Sequence, residues 1–272
     1  MIKKIPYGRH HITDEDLKAV VETLKSDFIT QGPQALIFEK NFAKYIGSKY
    51  AVSLANGTAA LHLCSMVLGV NENTKVLTTP ITFSASANCV RYCGGSIDFV
   101  DIDPNTALID LKALRKKLKS VPKGTYSGII PVDFAGYPVN LEKVREIADE
   151  YGLWIIEDAC HAPGASYKAS NQKIISSGSC KYADLAIFSL HPVKHIAAGE
   201  GGMITTNSKA LYEKLIMLRS HGITRNPKRL KENHGNWYYE MQYLGYNYRL
   251  TDFQAALGNS QLQRAEKKCG NS

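Results

Sequence analysis

Phe188-Ser-Leu-His-Pro-Val-Lys194-His-Ile-Ala-Ala-Gly-Glu-Gly-Gly202 is the stretch on which the reading of this chain turns. It sets one lysine between an apolar strand and a glycine-rich turn. Upstream, another apolar strand ends in Glu157-Asp158-Ala-Cys-His161. An acid at the C-terminal end of a parallel strand points into the ligand crevice of an open α/β sheet. A solitary lysine is ordinarily a solvated surface charge, so Lys194 gains meaning only together with Asp158. A strand-end acid and a strand-end lysine can converge on one cofactor. In pyridoxal phosphate (PLP) enzymes a lysine forms a Schiff base with the aldehyde, and a carboxylate partners the pyridinium nitrogen. A negative charge facing that nitrogen raises its pKa and keeps it protonated. His161 either orients Asp158, contacts the cofactor's phenolic oxygen, or is an ordinary half-buried histidine.

Working outward, apolar strands alternate with amphipathic helices. Thr13-Asp-Glu-Asp16 reads as a capping box opening a helix to about Ser26, and a second helix runs from about Ala35 to Tyr45. Strands are expected at Tyr50–Leu54, Lys75–Thr79, Ser96–Val100, Gly128–Val132, Leu153–Ile156, Leu185–Phe188 and Met203–Thr206. Helices are expected after Asn56-Gly-Thr58, over Ser84–Tyr92, Leu111–Leu118, Leu141–Tyr151 and Ala210–Leu218, and again after Thr251. This alternation implies βαβ units and a mostly parallel sheet with both faces covered. Residues from about Asn226 to Gly235 read as a polar loop. The last helix carries Phe253, Ala256, Leu257 and Leu262, an apolar face expected to lack a cover.

The chain has 272 residues, 44% of them hydrophobic and 21% charged, with a formal net charge of +8. That suffices for one large α/β core or two modest domains. The basic excess is spread out, apart from Arg225, Lys228, Arg229 and Lys231, and no nucleic-acid-binding pattern accompanies it. A pocket for a small anion is the favoured reading, with no nucleic-acid partner. The six cysteines form no C-x-x-C pair, which fits a reducing cytoplasm better than a disulfide framework. Met1–Tyr7 precedes no long apolar run, so neither a signal peptide nor a membrane span is expected.

Three further stretches bear on a ligand. Asn56-Gly-Thr-Ala-Ala-Leu61 lies at a strand-to-helix junction, where free amides make a phosphate site, although Asn and Gly are also favoured as plain caps. Phe83, just after a strand and Pro80, is placed to stack on a flat heterocycle or to fill the core. His191 and His195 have i,i+4 spacing, but Pro192 between them argues against a metal-presenting helix. Gly199-Glu-Gly-Gly202 lacks P-loop and dinucleotide-binding spacing and reads as a tight turn.

In this order and spacing, the motifs resemble the DegT/DnrJ/EryC1/StrS sugar aminotransferase family. The resemblance runs from near residue 10 to the end. It rests on Thr30-Gln-Gly32, Asn56–Leu61, Glu157–His161, Phe188–Lys194, Glu200-Gly-Gly202 and Gly245-Tyr-Asn-Tyr-Arg-Leu-Thr-Asp252. It implies a fold-type-I, aspartate aminotransferase-like PLP enzyme with a mixed, mostly parallel sheet flanked by helices. Residues 1–249 would form the PLP-binding large domain with an N-terminal arm. Residues 250–272 would begin a C-terminal region whose small domain is largely missing. By matching position, Lys194 is the Schiff-base lysine, Asp158 the pyridinium partner and Phe83 the ring-stacking aromatic. Gly57, Thr58, Ala59 and Ser189 match cofactor-binding positions, Thr58 and Ser189 adding hydroxyls at the phosphate, and His161 matches another cofactor contact. Asn247 matches a residue that reaches the neighbouring subunit's phosphate, which implies a homodimer, and Arg249 matches a substrate-carboxylate position. The stretches His191–Lys194, Ser220–Thr224 and Trp237–Gln242 carry a narrower likeness. They point to a UDP-linked 4-keto-6-deoxy-N-acetylhexosamine of pseudaminic acid biosynthesis as acceptor and L-glutamate as donor. Another nucleotide sugar, a PLP-dependent sugar dehydratase and a non-catalytic fragment are the rival readings. Lys194 stands against the dehydratases, which carry histidine there. Ala197 and Ala198 depart from the threonines expected after the lysine.

Overall fold

Most of the expected apolar runs pair into one sheet. The computed structural model describes residues 8–232 and 234–269. The Met1–Tyr7 stretch and Gly270–Ser272 lie outside the described residues. The large sheet contains β1 (Tyr50–Leu54), β2 (Lys75–Thr78), β3 (Ser96–Phe99), β4 (Gly128–Ile130), β5 (Trp154–Asp158), β8 (Leu185–Ser189) and β9 (Gly202–Thr206). Its strand order is β1-β9-β8-β5-β4-β2-β3. Two short antiparallel pairs lie outside it: β6 (Ser166–Lys168) with β7 (Ile174–Ser176), and β10 (Ile223–Thr224) with β11 (Glu240–Met241). The helices are α1 (Asp14–Leu24), α2 (Pro33–Ile46), α3 (Gly57–Val67), α4 (Ala85–Tyr92), α5 (Leu111–Lys119), α6 (Leu141–Tyr151), α7 (Lys209–Arg219) and α8 (Asp252–Cys269).

Strands β2, β3, β4, β5 and β8 pair in parallel, whereas β9 runs antiparallel to both β8 and β1. No helix separates β8 from β9, so the chain turns straight back and reverses, as a parallel crossover would not allow. The intervening loop holds Lys194. Because β1 is antiparallel to β9, it points the same way as β8 and β5. The C-terminal ends of β1, β5 and β8 therefore open on one side of the sheet.

Local signals explain the helix starts. Thr13 and Asp16 form a reciprocal capping box on α1. Asn56 Oδ1 accepts the Ala59 amide at 2.8 Å to cap α3. The core lies on both sheet faces, with most of α3 sunk into it, Leu61, Leu63 and Cys64 among its buried residues. Phe42 packs edge-on against Phe38 and Phe188, with ring centroids 5.9 and 5.0 Å apart.

The apolar face expected to stand uncovered on the last helix is corrected by the structure. Ala256 and Leu262 are buried, and Leu262 joins the cluster of Phe38 and Phe42. Phe253 and Leu257 are half-buried. The cover comes from α1 and α2, at the other end of the chain. Gly258 makes room for it, since a Cβ there would lie 2.8 Å from the Phe38 ring. Buried Asp252 accepts the Gly32 and Gln34 amides, both at 3.0 Å, and so caps α2 across the chain. Arg264 closes the other end through Asp16 at 2.9 Å.

Candidate active site

The ends of β1, β5 and β8 surround a cavity of about 960 Å³. Its lining includes Gly57, Thr58, Ala59, Phe83, Asp158, His161, Ser189 and Lys194. Eight of the sequence-predicted positions thus meet in one place. Asn247 and Arg249 do not line it; Asn247 is exposed and bridges to Ser220, and Arg249 is half-buried.

Asp158 ends β5 and is only 4% exposed. Its Oδ1 accepts the Cys160 amide at 3.2 Å, and its Oδ2 accepts the Ser86 hydroxyl at 2.6 Å. No side-chain cation pairs with it among the described residues. A buried carboxylate left with two dipoles and no counter-ion suits a cationic ligand group.

The Lys194 loop is pinned at several points. The Leu190 amide donates to Gly201 at 2.8 Å, the Ala198 amide to Leu190 at 2.9 Å, and the Lys194 amide to His191 at 2.8 Å. From α8, Gln261 accepts the Ala197 amide at 2.9 Å and Gln254 donates to the Glu200 carbonyl at 3.0 Å. The backbone thus takes the Ala197-Ala198 stretch without threonine hydroxyls. Burial and the Lys194 ammonium push the His161 pKa down, with Asp158 opposing. His161 Nδ1 accepts the Ala135 amide at 3.2 Å, so this nitrogen is the unprotonated one. Burial drives the Cys160 thiol well up, and it stays a packing group.

Opposite lies the first turn of α3, where helix geometry leaves amides without intrahelical acceptors. A Cβ on Gly57 would sit 3.2 Å from the Ser189 Cβ, so glycine lets this turn lie against the serine. Gly202 has a similar task, since a Cβ there would meet the Asn56 carbonyl oxygen at 2.3 Å. A helix N-terminus flanked by Thr58 and Ser189 is an anion cradle. Phe83, 73% exposed, overhangs the cavity and is not a core residue.

Sequence reading missed Ser86 and the far wall. That wall includes His62, Tyr92 and Tyr248, with His62 Nδ1 3.2 Å from the Tyr248 hydroxyl. Nothing local in the sequence links residues 62, 92 and 248. For Ser86 there was a signal, the i,i+4 spacing with Thr82 at a helix start. Among the described residues no group of three or more His, Cys, Asp or Glu could hold a metal ion. Arg225 and Arg229 of the basic cluster are engaged, with the Tyr239 ring and Glu213 respectively.

This is a fold-type-I α/β domain whose site pairs a strand-end acid with a loop lysine beside an anion cradle, and that donor set fits PLP. A family model described as the DegT/DnrJ/EryC1/StrS aminotransferase family matches residues 10–270, and the chain belongs to that family. It is 41% identical over 263 residues to a Campylobacter jejuni UDP-4-amino-4,6-dideoxy-N-acetyl-beta-L-altrosamine transaminase, covering 96% of this chain and 65% of that protein. The structure of Helicobacter pylori PseC, an aminotransferase of pseudaminic acid biosynthesis, superposes with a TM-score of 0.84 at 33% identity, over 97% of this chain and 67% of that one. A Streptococcus pneumoniae protein described as a sugar aminotransferase, solved in its PLP-form, superposes at 0.83 with 28% identity, over 97% and 68%. The chain thus spans about 65% of the length of the curated relatives it matches.

Proposed function

We propose that this chain carries the cofactor site of a PLP-dependent aminotransferase. The donor is L-glutamate and the acceptor a UDP-linked 4-keto-6-deoxy-N-acetylhexosamine. The observation that carries the reading is the meeting of Lys194, buried Asp158 and the α3 N-terminus around one cavity. Likeness to the altrosamine transaminase and to PseC supports the sugar class.

Bound PLP supplies an aldehyde carbon that takes up the amino group and a protonated ring that draws electrons. The residues of the chain do the rest. Among the described residues, Lys194 is the one ammonium-bearing side chain lining the cavity. It holds the cofactor covalently, then acts as the base and acid for the proton at the donor's α-carbon. Asp158 places a fixed negative charge opposite the ring nitrogen. Phe83 covers a ring face and excludes water there. Gly57, Thr58, Ala59 and Ser189 hold the phosphate, and His161 orients the ring's polar edge. A homodimer completes the site in this reading, with exposed Asn247 reaching the partner's phosphate. Arg249 receives the glutamate carboxylate.

Glutamate added to the PLP-loaded protein should abolish the visible band of the bound cofactor and release 2-oxoglutarate. The UDP-linked ketosugar should then restore the band. Restoration only by a thymidine-linked sugar would refute the UDP assignment. Binding of PLP with no response to glutamate would refute the enzyme reading.

A further inference from the structure

We propose that Ser86 is the positioning residue for Asp158, and that Thr82 and Ser86 together tie the acid at the ring's edge to the aromatic over its face. The proposal rests on the PLP reading of the site. Ser86 lies in the first turn of α4, fully buried, and donates to Asp158 Oδ2 at 2.6 Å. A serine hydroxyl has one proton to give. Once it goes to Asp158, the contact to Thr82 needs Thr82 as donor, and Thr82 Oγ1 lies 2.8 Å from Ser86 Oγ. The chain of hydroxyls therefore runs one way, from Thr82 through Ser86 into the carboxylate.

The choice of a hydroxyl has a chemical consequence. A lysine or arginine at this place would pair with Asp158 and spend its charge. A neutral donor fixes the carboxylate's orientation and leaves that charge for a ring nitrogen. The Cys160 amide holds the other oxygen in the same way, again as a dipole. Phe83 sits between the two hydroxyl residues in sequence, and its carbonyl accepts the Ser86 amide at 3.1 Å. The turn that orients Asp158 is thus the turn that presents Phe83.

The test uses PLP titrated onto wild type, Ser86→Ala, Ser86→Thr and Thr82→Val. It reads the dissociation constant, the pH midpoint of the visible band, and urea unfolding of the PLP-free chains. Losing a buried hydrogen bond to a charged group should weaken PLP binding by about 10-fold in Ser86→Ala. The pH midpoint should move by about half a unit or more. Ser86→Thr keeps the hydroxyl and should stay within about 3-fold of wild type. In an Asp158→Ala background, Ser86→Ala should add less than about 2-fold. A purely structural serine would lower unfolding stability and leave the midpoint unmoved, and that result overturns the proposal. Thr82→Val removes the donor that polarises the Ser86 hydroxyl toward Asp158 and serves if Ser86→Ala fails to fold; the midpoint there should move in the same direction by a smaller amount, and an unmoved midpoint overturns the proposal too. Wild type that binds no PLP would overturn the cofactor reading and this one together, whereas unaltered binding and midpoint in Ser86→Ala overturns this one alone.

Discussion

Replacing Asp133 by asparagine should make the protein more stable, and increasingly so as pH rises from about 4 to 7. Asp133 follows β4, is 0% exposed, and lies beside Glu157, itself 1% exposed on β5. Asp133 Oδ1 accepts the Val139 amide at 2.8 Å, while Oδ2 is buried with no well-formed hydrogen bond among the described residues, beside Ser177 and Glu157. Both oxygens of Glu157 accept the Gly178 amide at 2.9 Å. Burial raises both pKa values, that of Asp133 from 3.8 to about 6, with the Asp158 charge adding to it and the Val139, Ser177 and Glu157 contacts opposing, while the Asp133 carboxyl drives Glu157 further up. Two buried carboxyls this close keep one proton between them. An acid raised in the folded state binds more protons folded than unfolded between those two values. Stability is therefore fully retained below 3.8 and falls as pH rises toward 6. A shift of about two units corresponds to ~3 kcal/mol, reached at a slope of about 1.4 kcal/mol per pH unit. Asparagine keeps an acceptor for Val139, offers Glu157 a donor and removes one charge. Urea unfolding of both proteins without cofactor, at half-unit pH steps, measures the difference. A difference that stays constant over this window would show that the pair does not share a proton.

Two more outcomes follow from the geometry. Gly202→Ala forces a Cβ against the Asn56 carbonyl, so unfolding stability should fall by about 2 kcal/mol and PLP affinity should fall with it; a variant matching wild type in both would show that the close approach of β9 to α3 is not required. Mixing inactive Lys194→Ala and Asn247→Ala chains should restore activity to about a quarter of the wild-type sites, because half the dimers are mixed and each holds one intact site, and no restoration on mixing would exclude the shared-site homodimer.

Strand and helix positions were largely legible because each reports on a local pattern. Alternating runs, caps at Thr13 and Asn56, and Pro80 after a strand act over a few residues. Asp158, Ser189 and Lys194 were readable for a related reason, since strand ends on one side of an α/β sheet necessarily converge. The short β6–β7 and β10–β11 pairs escaped notice. Three- and two-residue strands, almost all of whose residues are exposed or half-buried, carry too little periodicity. The cover of α8 escaped for a different reason. Contacts such as Asp252 to Gly32 and Arg264 to Asp16 join opposite ends of the chain, and no local window contains both partners.

That long-range closure also bears on the site. The Lys194 loop has no helix of its own, and two of its anchors, Gln254 and Gln261, come from α8. α8 is in turn held by α1 through Asp16 and by α2 through Asp252. The lysine is therefore positioned by the packing of the chain's two ends, while Asp158 is positioned by the sheet and by Ser86 on α4. The sheet carries both, the acid on β5 and the loop from the end of β8, but Gln254 and Gln261 bond only to the loop and the Ser86 hydroxyl only to the acid's side. A change in α8 should disturb the lysine and spare the acid, and a change in α4 should do the reverse. Separate anchors of this kind let the two reactive ends of one site be altered separately.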